Sequence, residues 1–439
     1  MGVELLTFIL FACLLTLLAT GIPIAFAIGG VAVVFAISFW GLDHIYILAS
    51  ASYSNLQDLN LVAIPLFVLM GWILQKSGIA EDLFDAMHVW MGNLKGGLAM
   101  GTILISAIFA AICGELVAAV FTISAIALGP MLRRGYDKHL AVGSVMAGAL
   151  LGLIIPPSIE IIIYSSVTGE SVGRMYLGAL GPGLLLAFLY ILYIGIICHL
   201  RPGLGPPAQE LTTISWRMRL LKLKGVIAPL ILLLVIVGGI YSGIVTPMEA
   251  SALGATGAFI CAAIYRRLTW KVVKEAVFFT LRITSMIAWL LIALGCFTSV
   301  YSGLGALQLA QKIAEAIPGG GWGLIIATQV AIILFGMFLD DFAVIMIFAP
   351  IFVTAVKAVG IDSLWYGVLF LINMQVAFLT PPYGFCVICM RVAVADEFDI
   401  SILDIYRAAL PFIMLQIICL ILIMVFQPLT TFIPRLIIQ

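Results

Sequence analysis

The sequence predicts an all-α membrane protein built from two related halves, and three observations carry that reading. Of 439 residues, 64% are hydrophobic and 10% are charged, where a soluble domain carries about 25% charged residues. So few charges cannot clothe a water-facing surface, which makes the lipid bilayer the natural solvent. Apolar stretches near the length of one membrane crossing recur along the whole chain. The chain also repeats itself in one register. Ser77-Gly78 matches Ser302-Gly303, Gly96 matches Gly321, Gly135-Tyr136-Asp137 matches Gly360-Ile361-Asp362, and Pro156-Pro157 matches Pro381-Pro382, every pair at the same offset along the chain.

Single spans are expected near 4–20, 23–40, 60–76, 139–168, 176–199, 226–242, 250–265, 283–301, 364–394 and 408–430. The first is read as a retained span, because Met1 to Leu5 lacks the basic region of a cleaved signal peptide. Two stretches, 97–132 and 322–356, exceed one crossing and carry breakers near their middles: Gly114 in one, Gly336 and Asp340-Asp341 in the other. Each fits either two full helices or a re-entrant hairpin, since irregular backbone at membrane depth is tolerated where protein or a wet cavity surrounds it. Segments 79–93 and 304–316 are more polar and amphipathic and read as connecting helices along the membrane surface.

Positive residues orient the chain. Arg201, Arg217, Arg219, Lys222 and Lys224 face a single acid, Glu210, in the longest polar stretch, which places that loop in the cytoplasm. By parity Arg133, Arg134 and Lys138, and Arg266, Arg267, Lys271 and Lys274, fall on the same side. So does the acidic loop of Asp396, Glu397 and Asp399, which is neutral evidence. An odd number of crossings between the halves turns the second upside down, the arrangement that builds many secondary transporters with a site near the midplane.

A zero formal net charge gives no electrostatic footprint for nucleic acid. Eight scattered cysteines form no disulfide framework, and Cys386-x-x-Cys389 reads better as two small core residues one helical turn apart than as a redox pair. His44, His88, His139 and His199 lack metal-ligand spacing.

The chemistry-bearing groups follow the repeat. Glu115 and Asp340 match at the same offset as the Pro-Pro pairs, and Asp341 follows at once. A charged residue at a helix centre costs about 2.5–3.5 kcal/mol on insertion scales, so intramembrane acids are functional by default. The Pro-Pro pairs, Pro156-Pro157 and Pro381-Pro382, lack amide hydrogens and clash with preceding carbonyls. The freed carbonyls, with the Ser158 and Thr380 hydroxyls, suit Na⁺, while the helix restarting after each break offers its positive end to an anion. Asn373 is a candidate amide ligand. Arg391 either binds an anionic group or snorkels to the surface, and Glu160 is open between roles. Together Glu115 with Pro156-Pro157, and Asp340-Asp341 with Thr380-Pro381-Pro382, frame two cation sites around one anion site.

Several runs carry a family resemblance: Ala111-Ile112-Cys113-Gly114, Arg134-Gly135-Tyr136, Ile155-Pro156-Pro157-Ser158-Ile159, Gly243-Ile244-Val245-Thr246-Pro247-Met248-Glu249-Ala250, Gly336-Met337-Phe338-Leu339-Asp340 and Thr380-Pro381-Pro382. In these the chain resembles the large membrane subunit of tripartite ATP-independent periplasmic (TRAP) transporters. The resemblance implies an inverted-repeat, elevator-type transporter with two re-entrant hairpins whose tips meet two Pro-Pro-broken helices. It implies Na⁺-coupled symport of an organic acid, a carboxylate or sulfonate, across the bacterial inner membrane. The substrate would be delivered by a periplasmic substrate-binding protein, with a small four-helix membrane subunit as partner. The cation set is then Gly114, Glu115, Pro156, Pro157, Ser158, Gly336, Asp340, Asp341, Thr380, Pro381 and Pro382, and the substrate set Ser158, Asn373, Thr380 and Arg391. Scaffold spans are expected in 1–76, 176–301 (with the cytoplasmic loop 201–225) and 395–439, and transport elements in 77–175 and 302–394.

The chain departs from the family at both tips. Gly114-Glu115-Leu116 stands where Gly-Ser-Ser is common, and Asp340-Asp341-Phe342 where a single acid precedes Pro-Thr. Carboxylates thus replace hydroxyls at the first tip and increase at the second. The alternative within transport is a stand-alone Na⁺- or H⁺-coupled dicarboxylate carrier. An intramembrane aspartyl protease would need a Gly-x-Gly-Asp pattern, which Met337-Phe338-Leu339-Asp340 lacks.

Overall fold

A chain dissolved in lipid must pair its backbone groups internally, and helices do so segment by segment. The computed structural model describes residues 2–207, 216–305, 308–309, 312, 316–395 and 398–437, and the elements it describes are all helical. Most of the 304–316 segment, Glu210, and Asp396 and Glu397 lie outside the described residues.

The first half comprises α1 (Val3–Ala19), α2 (Ile24–Trp40), α3 (Tyr46–Leu56), α4 (Ala63–Lys76), α5 (Ile79–Met91), α6 (Gly97–Cys113), α7 (Leu116–Ile123), α8 (Gly129–Arg133), α9 (Lys138–Leu150) and α10 (Ile159–Thr168). A π-helical turn over Ser124–Leu128 carries α7 into α8. Then follow α11 (Val172–Leu200), α12 (Trp216–Tyr241), α13 (Pro247–Ile264), α14 (Trp270–Gly303), α15 (Gly320–Gly336), α16 (Asp341–Ala358), α17 (Ser363–Leu379), α18 (Phe385–Val394), α19 (Ile402–Val425) and α20 (Pro428–Ile437). Among the described residues seven helical stretches, including Val172–Leu200, Trp270–Gly303 and Ile402–Val425, are long and apolar enough to cross a membrane. The protein is a multi-pass membrane protein.

Local chemistry sets the boundaries. The Thr246 side chain accepts from the Glu249 amide and the Glu249 carboxylate from the Thr246 amide, a capping box that starts α13. Asp137 and Asp362 cap α9 and α17 alike, and Gly135 and Gly360 precede them with φ +77° and +75°. Only glycine takes that left-handed conformation cheaply, so the repeated Gly-x-Asp is a repeated helix start.

Several elements differ from the sequence-based expectation. Helix α3 has no counterpart among the expected spans, because its serines and Asn55 dilute its apolar character; it is held by burial of Leu48 and Ser52 against α14. Helix α14 starts at Trp270 rather than near the expected 283, is capped by Thr269, and carries Lys271, Lys274, Glu275 and Arg282 ahead of the apolar run. The expected 408–430 span is α19, begun earlier by the Ser401–Asp404 capping box, followed by the separate helix α20 on α11.

The packing carries the repeat into three dimensions. In the register of the repeat α7 corresponds to α16, α10 to α18, α9 to α17 and α6 to α15. Helix α10 packs on α16, and α7 packs on α18, which is the same contact with the halves exchanged. The α6–α9 contact recurs as α15–α17, α4–α13 as α14–α2, and α1–α2 as α12–α13. Two groups emerge: α1–α4 with α12–α14, and α6–α10 with α15–α18. Helices α11 and α19 pack with the second group, on α6, α9 and α17.

One tie joins the halves at a loop. Lys357, at the end of α16, reaches Glu170 at 2.8 Å, and the Ser363 hydroxyl donates to the same carboxylate at 2.6 Å. Burial opposes the charge, but Lys357 and Ser363 outweigh it and hold the Glu170 carboxyl below its usual range. A depressed carboxyl stabilises the fold above its unfolded pKa, near 4.5, and that contribution is lost as pH falls through its folded value. Lys357→Met should therefore lower thermal stability by about 1 kcal/mol at neutral pH. The difference from wild type should vanish in acid below the carboxylate range, as read by unfolding scans in detergent.

Candidate functional site

The interruptions inside the apolar stretches meet one another. At the first tip Gly114 takes φ +58°, and a β-carbon there would lie 3.2 Å from Ile159 Cγ1 and 3.5 Å from the Pro157 carbonyl oxygen, so the α6–α7 turn sits against the first Pro-Pro segment. At the second, a β-carbon on Gly336 would come within 2.8 Å of Ala377 Cβ, and the Gly384 amide donates to the Met337 carbonyl at 3.1 Å. Both Pro-Pro bonds are cis. The first pair is buried and the second is exposed.

The tip acids are helix caps. Glu115 Oε1 and Oε2 accept from the Val117 and Ala118 amides at 2.9 and 2.6 Å, and Asp340 Oδ1 accepts from Ala343 at 2.7 Å. These amides would otherwise be unpaired at a helix start. Capping is thus one reason for acids at these positions, and the Asp340 cap leaves its Oδ2 available.

Glu115, Asp340 and Asp341 line one cavity of about 560 Å³. Its opposite wall comes from α4 and α14, with Gln75, Lys76 and Arg282. The Gln75 amide donates to the Thr122 hydroxyl of α7 and bridges the two walls. Lys76 stands 3.8 Å from Glu275 and over the Trp72 ring. Arg282 is exposed and makes no ion pair among the described residues. Phe385 brings the start of α18, which has no side-chain cap, to the same cavity. A smaller cavity of about 240 Å³ lies further along α14, between Tyr301 and Thr354. At 1.5 Å per residue, Arg282 and Tyr301 are about 28 Å apart along the helix.

Other expected site residues point elsewhere. The Thr380 hydroxyl donates to the Val376 carbonyl at 2.6 Å, and the Tyr406 hydroxyl donates to the Pro382 carbonyl. Asn373 is buried and donates to the Gln329 carbonyl at 2.6 Å, while Arg391 is exposed and donates to the Ile400 carbonyl at 2.9 Å. None of Thr380, Pro382, Asn373 and Arg391 lines the cavity. Ser158 is buried, with its hydroxyl 3.1 Å from the Leu153 carbonyl and 2.8 Å from Glu160 Oε2. Cys386 and Cys389 are buried and free. Among the described residues no three His, Cys, Asp or Glu converge to hold a metal ion, so a cation here would draw on carbonyls and hydroxyls as well as carboxylates.

Arg282, Lys76 and Gln75 have no role in the sequence reading. Arg282 lies just outside the expected 283–301 span. A charged residue inside an apolar helix is a functional signal, and only the longer α14 places it there.

An all-helical membrane body of paired repeats, with a charged cavity between two helix groups, defines a membrane transport protein rather than an enzyme. The chain belongs to the family described as the DctM component of the tripartite ATP-independent periplasmic transporter, which matches residues 11–429. It is similar to the C4-dicarboxylate TRAP transporter large permease protein DctM of Pseudomonas aeruginosa, 30% identical over 87% of each chain. It is also similar to the ectoine TRAP transporter large permease protein TeaC of Halomonas elongata, 28% identical over 98% of this chain and 99% of that one. The crystal structure of the Alcanivorax borkumensis YdaH transporter aligns over 89% of this chain and 90% of that one, with a TM-score of 0.62 and 16% identity. That likeness is one of fold.

Removing the Glu115 cap should cost about 1 kcal/mol of stability. Glu115→Ala is expected to unfold at lower temperature than wild type, and Glu115→Ser, which can still cap, to recover most of the loss. Equal losses in both would refute the capping assignment.

Proposed function

We propose that this chain is the membrane-embedded transport subunit of a binding-protein-dependent secondary transporter. It imports a small organic acid anion, a carboxylate or sulfonate, driven by a Na⁺ gradient. The observation that carries the reading is the cavity with tip carboxylates from both repeats on one wall and Arg282 and Lys76 on the other. In this reading α6–α7 and α15–α16 are re-entrant hairpins, and α9–α10 and α17–α18 are helices broken at the Pro-Pro pairs. Non-helical backbone is tolerable at membrane depth because tips and breaks surround one another.

Na⁺ fits the donor set. Hard oxygens converge at each tip: the Pro157 carbonyl beside Gly114, and Asp340 and Asp341 at the start of α16. Bound Na⁺ would cancel the carboxylate charge of that wall. The chain's own residues then decide what enters. Before neutralisation the acids repel an anion; afterwards Arg282 and the uncapped start of α18 attract one, which makes anion binding follow cation binding. Arg282 sits on the wall we assign to the scaffold, α1–α4 with α12–α14. The moving body then includes α11 and α19 with the hairpins and broken helices. In this reading the two cavities along α14 are the two ends of the elevator path.

The tripartite family description supports two further components, which in this reading are a small four-helix membrane subunit and a periplasmic substrate-binding protein, with the assembly in the bacterial inner membrane. Relatives named for a C4-dicarboxylate and for ectoine leave the substrate to the binding protein. The test is uptake into proteoliposomes holding this chain and its small subunit, with labelled organic acids, binding protein and an imposed Na⁺ gradient. Uptake should require the small subunit, the binding protein and the gradient together. Uptake without the binding protein would favour the stand-alone carrier instead.

Two sets of variants probe the walls. Glu115→Gln and Asp340→Asn should raise the Na⁺ concentration for half-maximal uptake, and unchanged Na⁺ dependence in both would remove them from the cation sites. Arg282→Gln should raise the substrate concentration for half-maximal uptake by about tenfold, the loss of one charged hydrogen bond, with Na⁺ dependence unchanged.

A further inference from the structure

The charged cavity has mostly apolar walls. On the α4–α14 side the Trp72 and Phe279 rings stack, with centroids 3.8 Å apart and planes 15° from parallel, and Ile283 and Met286 continue that wall along α14. On the other side Phe121 of α7 and Phe385 of α18 line the same space. Phe121 is 39% exposed and Met286 41%, so a bound molecule covers apolar area that the fold itself leaves uncovered. Covering such area is favourable in proportion to its extent. Aromatic pairs gain beyond area burial, so walls of Trp and Phe favour a ring over an aliphatic chain. At about 560 Å³ the cavity has room for one.

The polar groups are few and specialised. Lys76 is engaged by Glu275 at 3.8 Å and lies over the Trp72 ring at 5.1 Å. Arg282 is the lining cation with no ion pair among the described residues. The Gln75 amide is spent on the Thr122 hydroxyl, and Gln75 Oε1 is an acceptor only. Among the described residues no Ser, Thr, Tyr, Asn or His lines the cavity. One guanidinium pairs with one anionic group. Two Na⁺ ions at the tips do not outnumber Glu115, Asp340 and Asp341, so a second carboxylate on the ligand would lack a cation of its own. The hydroxyls of a polyol would give up water for few neutral partners.

We infer that the cavity selects an organic monoanion with an aromatic body, an arylcarboxylate or arylsulfonate whose anionic group pairs with Arg282 and whose ring packs on the aromatic walls. Small dicarboxylates and sugar acids are the classes it disfavours. The inference rests on the Na⁺-coupled organic-acid reading and deepens it by naming the substrate class. The binding protein sets what is delivered, and the cavity sets what is accepted.

The test is titration calorimetry on the purified complex of this chain and its small subunit, without the binding protein, using phenylacetate, succinate and gluconate in saturating Na⁺. Phenylacetate should bind about tenfold or more tightly than either of the others, and replacing Na⁺ by K⁺ should abolish its binding. Phe121→Ala should weaken phenylacetate binding about fivefold, and Arg282→Gln about tenfold. Succinate or gluconate binding as tightly as phenylacetate overturns the aromatic class while the organic-acid reading stands. Wild-type phenylacetate affinity in Phe121→Ala, or equal binding in Na⁺ and K⁺, overturns it too, the latter marking partition into detergent. Should Phe121→Ala fail to fold, Phe121→Leu, which keeps bulk and removes the ring, decides in its place. If none of the three acids binds in Na⁺, the proposed function fails along with the inference, a separate outcome.

Discussion

Among the described residues four interruptions of helix lie inside apolar sequence, at Gly114–Glu115, Ile154–Ser158, Met337–Asp340 and Thr380–Gly384, and lipid offers their backbone groups no partner. The rest of the structure depends on how this demand is met. The interruptions face one another in pairs: Gly114 against the Pro157 carbonyl, and the Gly384 amide on the Met337 carbonyl. The helices that leave them are capped by Glu115, Ser158 and Asp340. Gathering the loose ends in one place concentrates oxygen atoms and helix ends there, so the arrangement that makes broken backbone tolerable also supplies the groups on which the proposed ion sites draw.

Much of this was legible because it is written in residues with few conformational options. The Pro-Pro pairs, the left-handed Gly135 and Gly360, and the capping Asp137 and Asp362 recur in one register, and each forces a local geometry whatever packs around it. Glu115 and Asp340 were legible as a pair for the same reason, though the sequence does not say that their oxygens are engaged by backbone amides. Helix grouping was not legible. Helices α11 and α19 have the same apolar composition as α12 or α13, and only side-chain fit decides which body they join. Arg282 was hidden by a boundary, because hydropathy marks where apolar sequence starts and not where Thr269 starts the helix.

The two halves share a backbone plan and differ in what they hang on it. Gly78 lies under Arg267, whose guanidinium binds the Ser77 and Gly78 carbonyls and the Asp82 carboxylate. The matching Gly303 lies under the indole of Trp40. One turn is held by charge and hydrogen bonds, the other by an aromatic face. The first Pro-Pro segment is buried and the second exposed. At positions matched by the repeat, α10 and α16 carry Glu160 and Asp341 where α18 and α7 carry Phe385 and Leu116.

These asymmetries matter for a transporter in a way they would not for a static fold. If two inverted repeats were identical in every side chain, exchanging their roles would convert one end state into the other at equal energy, with equivalent sites facing each side. A backbone near that symmetry keeps the two states close in energy, so a modest ligand term can shift the balance. Side chains that break the symmetry supply the ligand term. Acids that α10 and α16 carry and α18 and α7 lack, and cations on the α4 and α14 wall alone, would let an ion or an anion bind differently in the two states of the proposed transport cycle. Only a difference of that kind lets a gradient move the equilibrium.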